Sequence, residues 1–331
     1  MKSGDCYMEK SKNTTLIVLA FFSIYVIWGS TYLLNKIAVS ELPPFMLAAI
    51  RFISAGSLIF VLCKIMGIST KISKRQLLNT TLAGFLFLSF GNGVVVWALR
   101  FVDSGFAALQ ISAQPLVVLL LMRILQNKKI QPMSIVGVVL GIIGIYLLVG
   151  QKEIVSQENA VWGMIMIFLC MLSWAYCSLF VAKADLPANY FVNTGYQMFL
   201  GGVILLLGSL LFGEQWSMPG DWSPKVQGAM LLLIVFGSIV AFTSFNYLLK
   251  SVSPEKVATS TYVNPIIALV LGWYFLEEQI TLQSMIAAGI LLTGVYFINT
   301  KKKMLLFSRF QNKGASALDT ESNGKPQGFK E

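Results

Sequence analysis

RFVDSGFAALQISAQPLVVLLLMRIL, Arg100–Leu125, returns 150 residues later as KSVSPEKVATSTYVNPIIALVLGWYF, Lys250–Phe275. Arg100 falls on Lys250, Val102 on Val252, Ala108 on Ala258 and Gln114-Pro115 on Asn264-Pro265. The register holds without a gap from 99–146 onto 249–296, where Gly144-Ile145-Tyr146 meets Gly294-Val295-Tyr296. Upstream the match is weaker and the shift is near 146, which sets Trp28 on Trp174 and Arg51 on Gln197. Self-similarity at a fixed shift means that one unit has been used twice.

The unit is a set of apolar runs. Of 331 residues, 56% are hydrophobic and 12% charged, against about 25% charged in a soluble domain. The charges cluster between ten runs of a length that crosses a hydrocarbon core: 15–38, 44–63, 77–98, 104–124, 133–150, 160–183, 189–212, 226–249, 255–275 and 282–299. The expected fold is an all-α integral membrane protein of ten transmembrane helices. Its parts are an N-terminal tail (1–14), a first five-helix repeat (15–150), a second (160–299) and a basic tail (300–331). Five is odd, so the second copy enters the membrane from the opposite side. Such inverted repeats are typical of secondary transporters.

The net charge of +10 could suggest nucleic acid, but its distribution does not. With the N-terminus inside, inner segments hold Lys2, Lys10, Lys12, Lys64, Lys71, Lys74, Arg75, Arg123, Lys128, Lys129, Lys183, Lys250 and Lys256, plus the tail. Outer loops hold Arg100, Lys152 and Lys225. That bias puts both termini in the cytoplasm. The first run lacks a small-residue cleavage site and reads as a retained span. None of Cys6, Cys63, Cys170 and Cys177 is placed for an extracellular disulfide framework. The chain has no histidine, which removes His-containing zinc motifs and Ser-His nucleophile pairs. No catalytic set, metal set or cofactor is expected.

Polar side chains in a bilayer face a bundle interior or a water-filled cavity. Tyr32, Arg51, Asn92, Gln110 and Gln114 fall six to ten residues from the outer ends of their runs. Asn193, Gln197, Thr243, Asn246, Ser260 and Asn264 fall three to nine residues from the inner ends. Gln110/Gln114, Asn193/Gln197 and Ser260/Asn264 are i,i+4 pairs, each sharing a helix face. Trp28 and Tyr32, with Trp174 opposite, offer an aromatic wall suited to an organic solute. The plainer reading of any one amide is glue between helices, and of Trp28 and Trp174, packing. Trp97 reads as an interfacial anchor. Pro115 and Pro265 must kink their helices and are candidate gating positions; the kinks can equally be simple bends.

Arg51 stands out. A deep arginine costs about 2.5–3.5 kcal/mol on insertion scales, and no run contains Asp or Glu apart from Glu255 at the very edge of the ninth. Glu41 and Asp103 lie in outer loops and could approach it. Either Arg51 attracts a carboxylate or phosphate of a solute through its planar fork, or neighbouring helices satisfy it. The missing intramembrane carboxylate also leaves energy coupling open between facilitated exchange and a proton route through Glu41, Asp103, Asp185 or Glu255.

Trp28-Gly29-Ser30-Thr31-Tyr32, Pro43-Pro44 and Ala49-Ile50-Arg51-Phe52 are similar to the opening of EamA-type members of the drug/metabolite transporter superfamily. Ala108…Gln114-Pro115 with Gly141…Gly144, and Ala258…Asn264-Pro265 with Gly289…Gly294, resemble the repeat ends of that family. The resemblance spans roughly 15–299. It implies a plasma (inner) membrane permease with a central cavity, alternating access and export of a small metabolite, amino acid-like solute or drug. The partners implied are a small-molecule solute and the bilayer, and a homodimer is left open. The alternative is a translocator for phosphorylated or nucleotide-linked sugars, for which Lys36 and Lys250 would have to join Arg51. A membrane enzyme would need a nucleophile–base pair that the sequence lacks.

Overall fold

The computed structural model describes residues 14–127, 132–150, 158–252, 257 and 260–299. The proposed tails at 1–13 and 300–331, and Glu255, lie outside the described residues. The described residues are all helical, with turns between helices and no strand. Seven helices are long and apolar enough to cross a membrane. They are α1 (Thr14–Val39), α2 (Pro44–Ile65), α3 (Lys74–Ala98), α4 (Ser104–Gln126), α6 (Ala160–Val181), α7 (Tyr190–Leu211) and α8 (Pro224–Leu248). Three more apolar helices are shorter: α5 (Pro132–Val149), α9 (Ser260–Leu276) and α10 (Leu282–Asn299).

The expected runs 133–150 and 282–299 agree with α5 and α10 to within one residue at each end, and α9 lies within the expected run 255–275 save for its last residue, Leu276.

Local chemistry sets the boundaries. Ser73 and Gln76 form a reciprocal capping box at the start of α3, which satisfies two otherwise orphaned N–H groups. Asn189 Oδ1 accepts from Phe191 N and Val192 N at the start of α7. Pro44 and Pro224 occupy first helical positions, where a missing N–H is harmless. Past the ends of α2 and α7, Gly67 and Gly213 both take φ +66° with open space around them, the left-handed residue that commonly terminates a helix.

The two halves share these boundaries. α2 and α7 are shifted by 146 residues at both ends, and so are Gly67 and Gly213. α3 and α8 begin 150 residues apart, at Lys74 and Pro224. The four extra residues lie in the connection 212–223, compared with 66–73. Three stretches are wound as π-helix: Ser23–Ile27 in α1, Phe85–Gly93 in α3 and Leu233–Val240 in α8. The α3 and α8 stretches overlap under the 150-residue shift. α4 breaks at Ser112-Ala113, just before Pro115, while α9 carries Pro265 inside a continuous helix.

Packing across the halves is reciprocal. α2 lies along α7, and α5 along α10. A methyl group on Gly56 would sit 2.6 Å from Phe199 N, and one on Gly202 would sit 2.7 Å from Ile53 N. Exchanging the halves by 146 residues turns one contact into the other. In the second pair, a methyl on Gly144 would sit 3.1 Å from Leu291 N, and one on Gly294 would sit 2.9 Å from Gly141 N. Here the shift is 150. Glycine is required because the backbones approach too closely for a side chain, as in close-packed membrane helices.

Candidate functional site

The halves meet around Arg51. Seven residues into α2 and about 10 Å along it from the helix start, this residue is 3% exposed. Nε donates to Ser238 Oγ of α8 at 2.8 Å, and Nη1 donates to Asn35 Oδ1 of α1 at 3.3 Å. Both partners are neutral, and no carboxylate is among its partners in the described residues. Ser238 lies in the π-helical part of α8. The neighbouring Gly237 leaves the space that Arg51 needs, since a methyl there would lie 3.2 Å from Nη2 and 2.8 Å from Thr31 Cγ2. Glu41 and Asp103 do not satisfy this arginine, which corrects the sequence expectation. Glu41 is engaged by Ser223, and Asp103 lines a cavity with Lys36.

An aromatic cluster joins the halves. Trp28 and Trp174 meet edge to face with centroids 6.2 Å apart. Phe245 lies 5.0 Å from Trp28 and 5.9 Å from Trp174, and Phe87 lies 4.5 Å from Trp174. Phe242 closes the set against Phe87 and Phe245. Offset and edge contacts of this kind hold the rings in place. Tyr32 is half-buried against the neighbouring apolar cluster.

A chain of amides ties α7 to α8. Gln197 Nε2 donates to Asn193 Oδ1 at 3.1 Å, Asn193 Nδ2 to Asn246 Oδ1 at 3.4 Å, and Asn246 Nδ2 to Thr194 Oγ1 at 2.8 Å. The i,i+4 face read from the sequence is thus a direct bond. Four buried side-chain atoms have no hydrogen-bond partner among the described residues: Asn92 Oδ1, Gln110 Oε1, Gln197 Oε1 and Thr243 Oγ1. Buried polar atoms are seldom left unpaired without a reason.

Other predicted residues bind helices together. Gln110 Nε2 donates to Met164 O at 2.8 Å and Gln114 Nε2 to Met171 O at 3.0 Å, both on α6. Asn264 is buried; with its amide oriented by its surroundings, the nitrogen lies 2.8 Å from Tyr25 O and 2.9 Å from Ile24 O. These carbonyls belong to the π stretch of α1, whose wider winding leaves acceptors for a side chain. The Gln114–Met171 and Asn264–Tyr25 bonds correspond under the repeat, with shifts of 150 and 146. Ser260, one turn before Asn264, is buried and lends its carbonyl to the same amide.

Sequence reasoning missed Asn35, Ser238, Thr194, Phe87, Phe242 and Phe245. Asn35 carried a legible signal, because it is an amide inside a span three residues beyond Tyr32. A serine or phenylalanine in an apolar run carries no such mark. No group of three or more His, Cys, Asp or Glu among the described residues could hold a metal ion.

At the rim, a cavity of about 250 Å³ is lined by Lys36, Glu41, Asp103, Lys225 and Glu278 with apolar neighbours. Lys36 Nζ donates to Leu99 O and Val102 O at 2.8 and 2.7 Å. Hydrogen bonds from the hydroxyl and backbone N–H of Ser223 hold the Glu41 carboxyl below the usual carboxylate range.

An all-helical bundle with apolar exteriors and a site shared between similar halves defines a membrane transporter. The EamA-like transporter family model matches residues 15–150 and 161–300, and the chain belongs to that family. It is 32% identical over 286 residues to an inner membrane transporter of Escherichia coli (strain K12), YedA, described as uncharacterized. That match covers 86% of this chain and 90% of the relative. It is 24% identical to the uncharacterized transporter YoaV of Bacillus subtilis, covering 86% and 96%. It is also 25% identical to a WAT1-related chloroplastic protein of Arabidopsis thaliana, covering 86% and 69%. A solved crystal structure shares the fold with a TM-score of 0.63 at 17% identity, covering 86% of this chain and 96% of that one.

Proposed function

We propose that this transporter exports a small metabolite or amino acid-like solute by alternating access, using ten spans arranged as two inverted five-span repeats. Both termini are cytoplasmic and the membrane is the inner (plasma) membrane. The reciprocity of the Gly56–Phe199 and Gly202–Ile53 contacts supports the topology. Two like halves of opposite orientation can exchange conformations, turning an outward-open state into an inward-open one.

The observation that carries the solute reading is the pairing of Arg51 with neutral partners where the halves meet. Its free N–H donors suit a solute carboxylate. The unpaired oxygens of Asn92, Gln197 and Thr243 accept donors from the same solute, and the Trp28–Trp174 cluster covers its apolar part. Gln110, Gln114, Asn193, Asn246, Ser260 and Asn264 shape the walls, and the break before Pro115 with Pro265 opposite supplies the bend for gating. A sugar phosphate is the weaker fit. It asks for more than one cation, and Lys36 already donates to two carbonyls.

The test compares culture-medium metabolites by untargeted mass spectrometry from cells overproducing the intact protein or Arg51→Ala at equal membrane abundance. A carboxylate metabolite enriched only by the intact protein is the expected result. Equal enrichment returns Arg51 to a structural role. No enrichment by either overturns the export reading.

A further inference from the structure

Helix starts are normally capped by residues next to them in sequence, and α3 and α7 follow that rule through Ser73 and Asn189. α2 and α4 do not. Pro43 offers no side-chain cap, and Asp103 makes none although its residue type suits the position. Their exposed N–H groups are taken instead by carboxylates from the other half.

Glu214 Oε1 accepts from Phe45 N at 3.1 Å, and Oε2 from Met46 N at 2.7 Å. Glu278 accepts from Ser104 N at 2.8 Å, Gly105 N at 3.1 Å and Ser104 Oγ at 2.9 Å. Conversely, Glu41 of the first half accepts from Ser223 N at 3.1 Å and Ser223 Oγ at 2.6 Å, at the start of α8. The partners are 169, 174 and 182 residues apart in sequence. A carboxylate at a helix N-terminus is doubly favoured, by the charge-assisted bonds and by the helix dipole.

In the topology proposed above, these three starts are the outer ends of α2, α4 and α8, and each is held by a carboxylate of the other half, at α8 through Ser223, whose Oγ in turn accepts from Val226 N at 3.3 Å. The inner starts of α3 and α7 keep their own caps. There the halves touch through side chains: Gln76 Nε2 to Asp185 Oδ1, Asn79 Nδ2 to Asp185 O and Tyr196 Oη to Thr70 O. An outer opening must break the cross-half caps, whereas an inner opening leaves helix starts intact.

We propose that Glu41, Glu214 and Glu278 are the outer gate, three cross-half carboxylate caps that release together when the transporter opens outward. The proposal rests on the alternating-access reading. Glu214 is steadied by Ser209 Oγ at 2.6 Å, which in turn accepts from Trp216 Nε1 at 3.0 Å. That arrangement keeps the carboxylate ready to recapture α2. Glu41 and Glu278 share a cavity with Lys36, Lys225 and Asp103, so two of the three latches face one pocket.

Hydrogen–deuterium exchange of the full-length protein in lipid nanodiscs tests this, with Glu41→Ala and, as a second variant, Glu278→Gln. Exchange is followed at Phe45–Met46, Ser104–Gly105, Ser223 and the inner control segment Ser73–Gln76. Glu41→Ala touches neither of the first two segments. Release as a unit is expected to speed exchange there by roughly five- to tenfold, the scale of one lost cap, with the inner control no faster. Glu278→Gln is expected to do the same at Ser223. Acceleration confined to the helix whose own cap was removed would make these independent structural caps and overturn the gate. Acceleration at the inner control as well would mean general loosening and overturn it too. Metabolite export by the intact protein is scored separately, so export without coupled exchange sinks the gate alone. Coupled exchange without export sinks the export reading alone.

Discussion

Gly56→Ala is the sharpest probe of the fold, because a single methyl group meets backbone there. The new carbon would lie 2.6 Å from Phe199 N and 2.9 Å from Phe199 Cα. Ordinary contact begins at about 3.4 Å, so α2 and α7 must part by roughly 0.8 Å along that line, and backbone cannot rotate aside as a side chain does. Overpacking of this kind costs about 1–3 kcal/mol. It outweighs the gain of about 0.5–1 kcal/mol from replacing glycine within a helix. Gly202→Ala meets Ile53 N at 2.7 Å and is expected to cost the same. The contacts lie on one seam, so once the helices have parted for the first methyl the second finds space. The double variant is therefore expected to be less destabilised than the sum, by about 0.5–1.5 kcal/mol. Gly208→Ala is the control, since nothing lies within 4 Å of its added carbon; it should be neutral or slightly stabilising. Thermal unfolding in detergent, followed by tryptophan fluorescence, reads all four variants. A Gly56→Ala protein as stable as Gly208→Ala, or strict additivity of the pair, would refute the shared close seam.

Gly237→Val places carbon against Thr31 Cγ2 and the Arg51 guanidinium; export is expected to fall at least tenfold, about 1.4 kcal/mol of barrier, at normal membrane abundance. Gln114→Leu and Asn264→Leu each leave a carbonyl of the opposite half without its donor, and each should lower stability by about 0.5–1.5 kcal/mol in unfolding measurements. A large difference between the two would count against their equivalence under the repeat. Because the Glu41 carboxyl is held below the ordinary range, its latch is present above the ordinary carboxylate pKa of about 4.3 and is lost as pH falls through the lower folded value. The melting-temperature gap between the wild type and Glu41→Gln should stay constant near neutral pH and close in acid; a gap that widened in acid would reverse the assignment.

The helical fold was legible because apolar runs and charge clusters are one-dimensional signals, and the repeat because Gln114-Pro115 and Asn264-Pro265 stand in matched context. Within the site, Trp28, Trp174, Arg51, Asn193 and Gln197 could be singled out by residue type and depth, but their partners could not. Ser238, which accepts from Arg51, lies in Leu233–Val240, wound as a π-helix, and that winding has no plain sequence mark. Glu41 was read as a neighbour for Arg51 on charge alone. The structure gives it to Ser223, because an exposed helix start satisfies a carboxylate without burying it.

The seam of α2 and α7 has a consequence for how such a chain could arise. Gly56 faces Phe199 while Gly202 faces Ile53, so each half presents to the other the same patch that it receives. A patch that is both donor and acceptor of one contact needs no second sequence. Two separate copies of a single five-helix unit could dock through it as a two-fold pair, each glycine against the partner's residue three positions earlier. Fusion then adds only local concentration, and frees each half to diverge, as Arg51 and Gln197 have done.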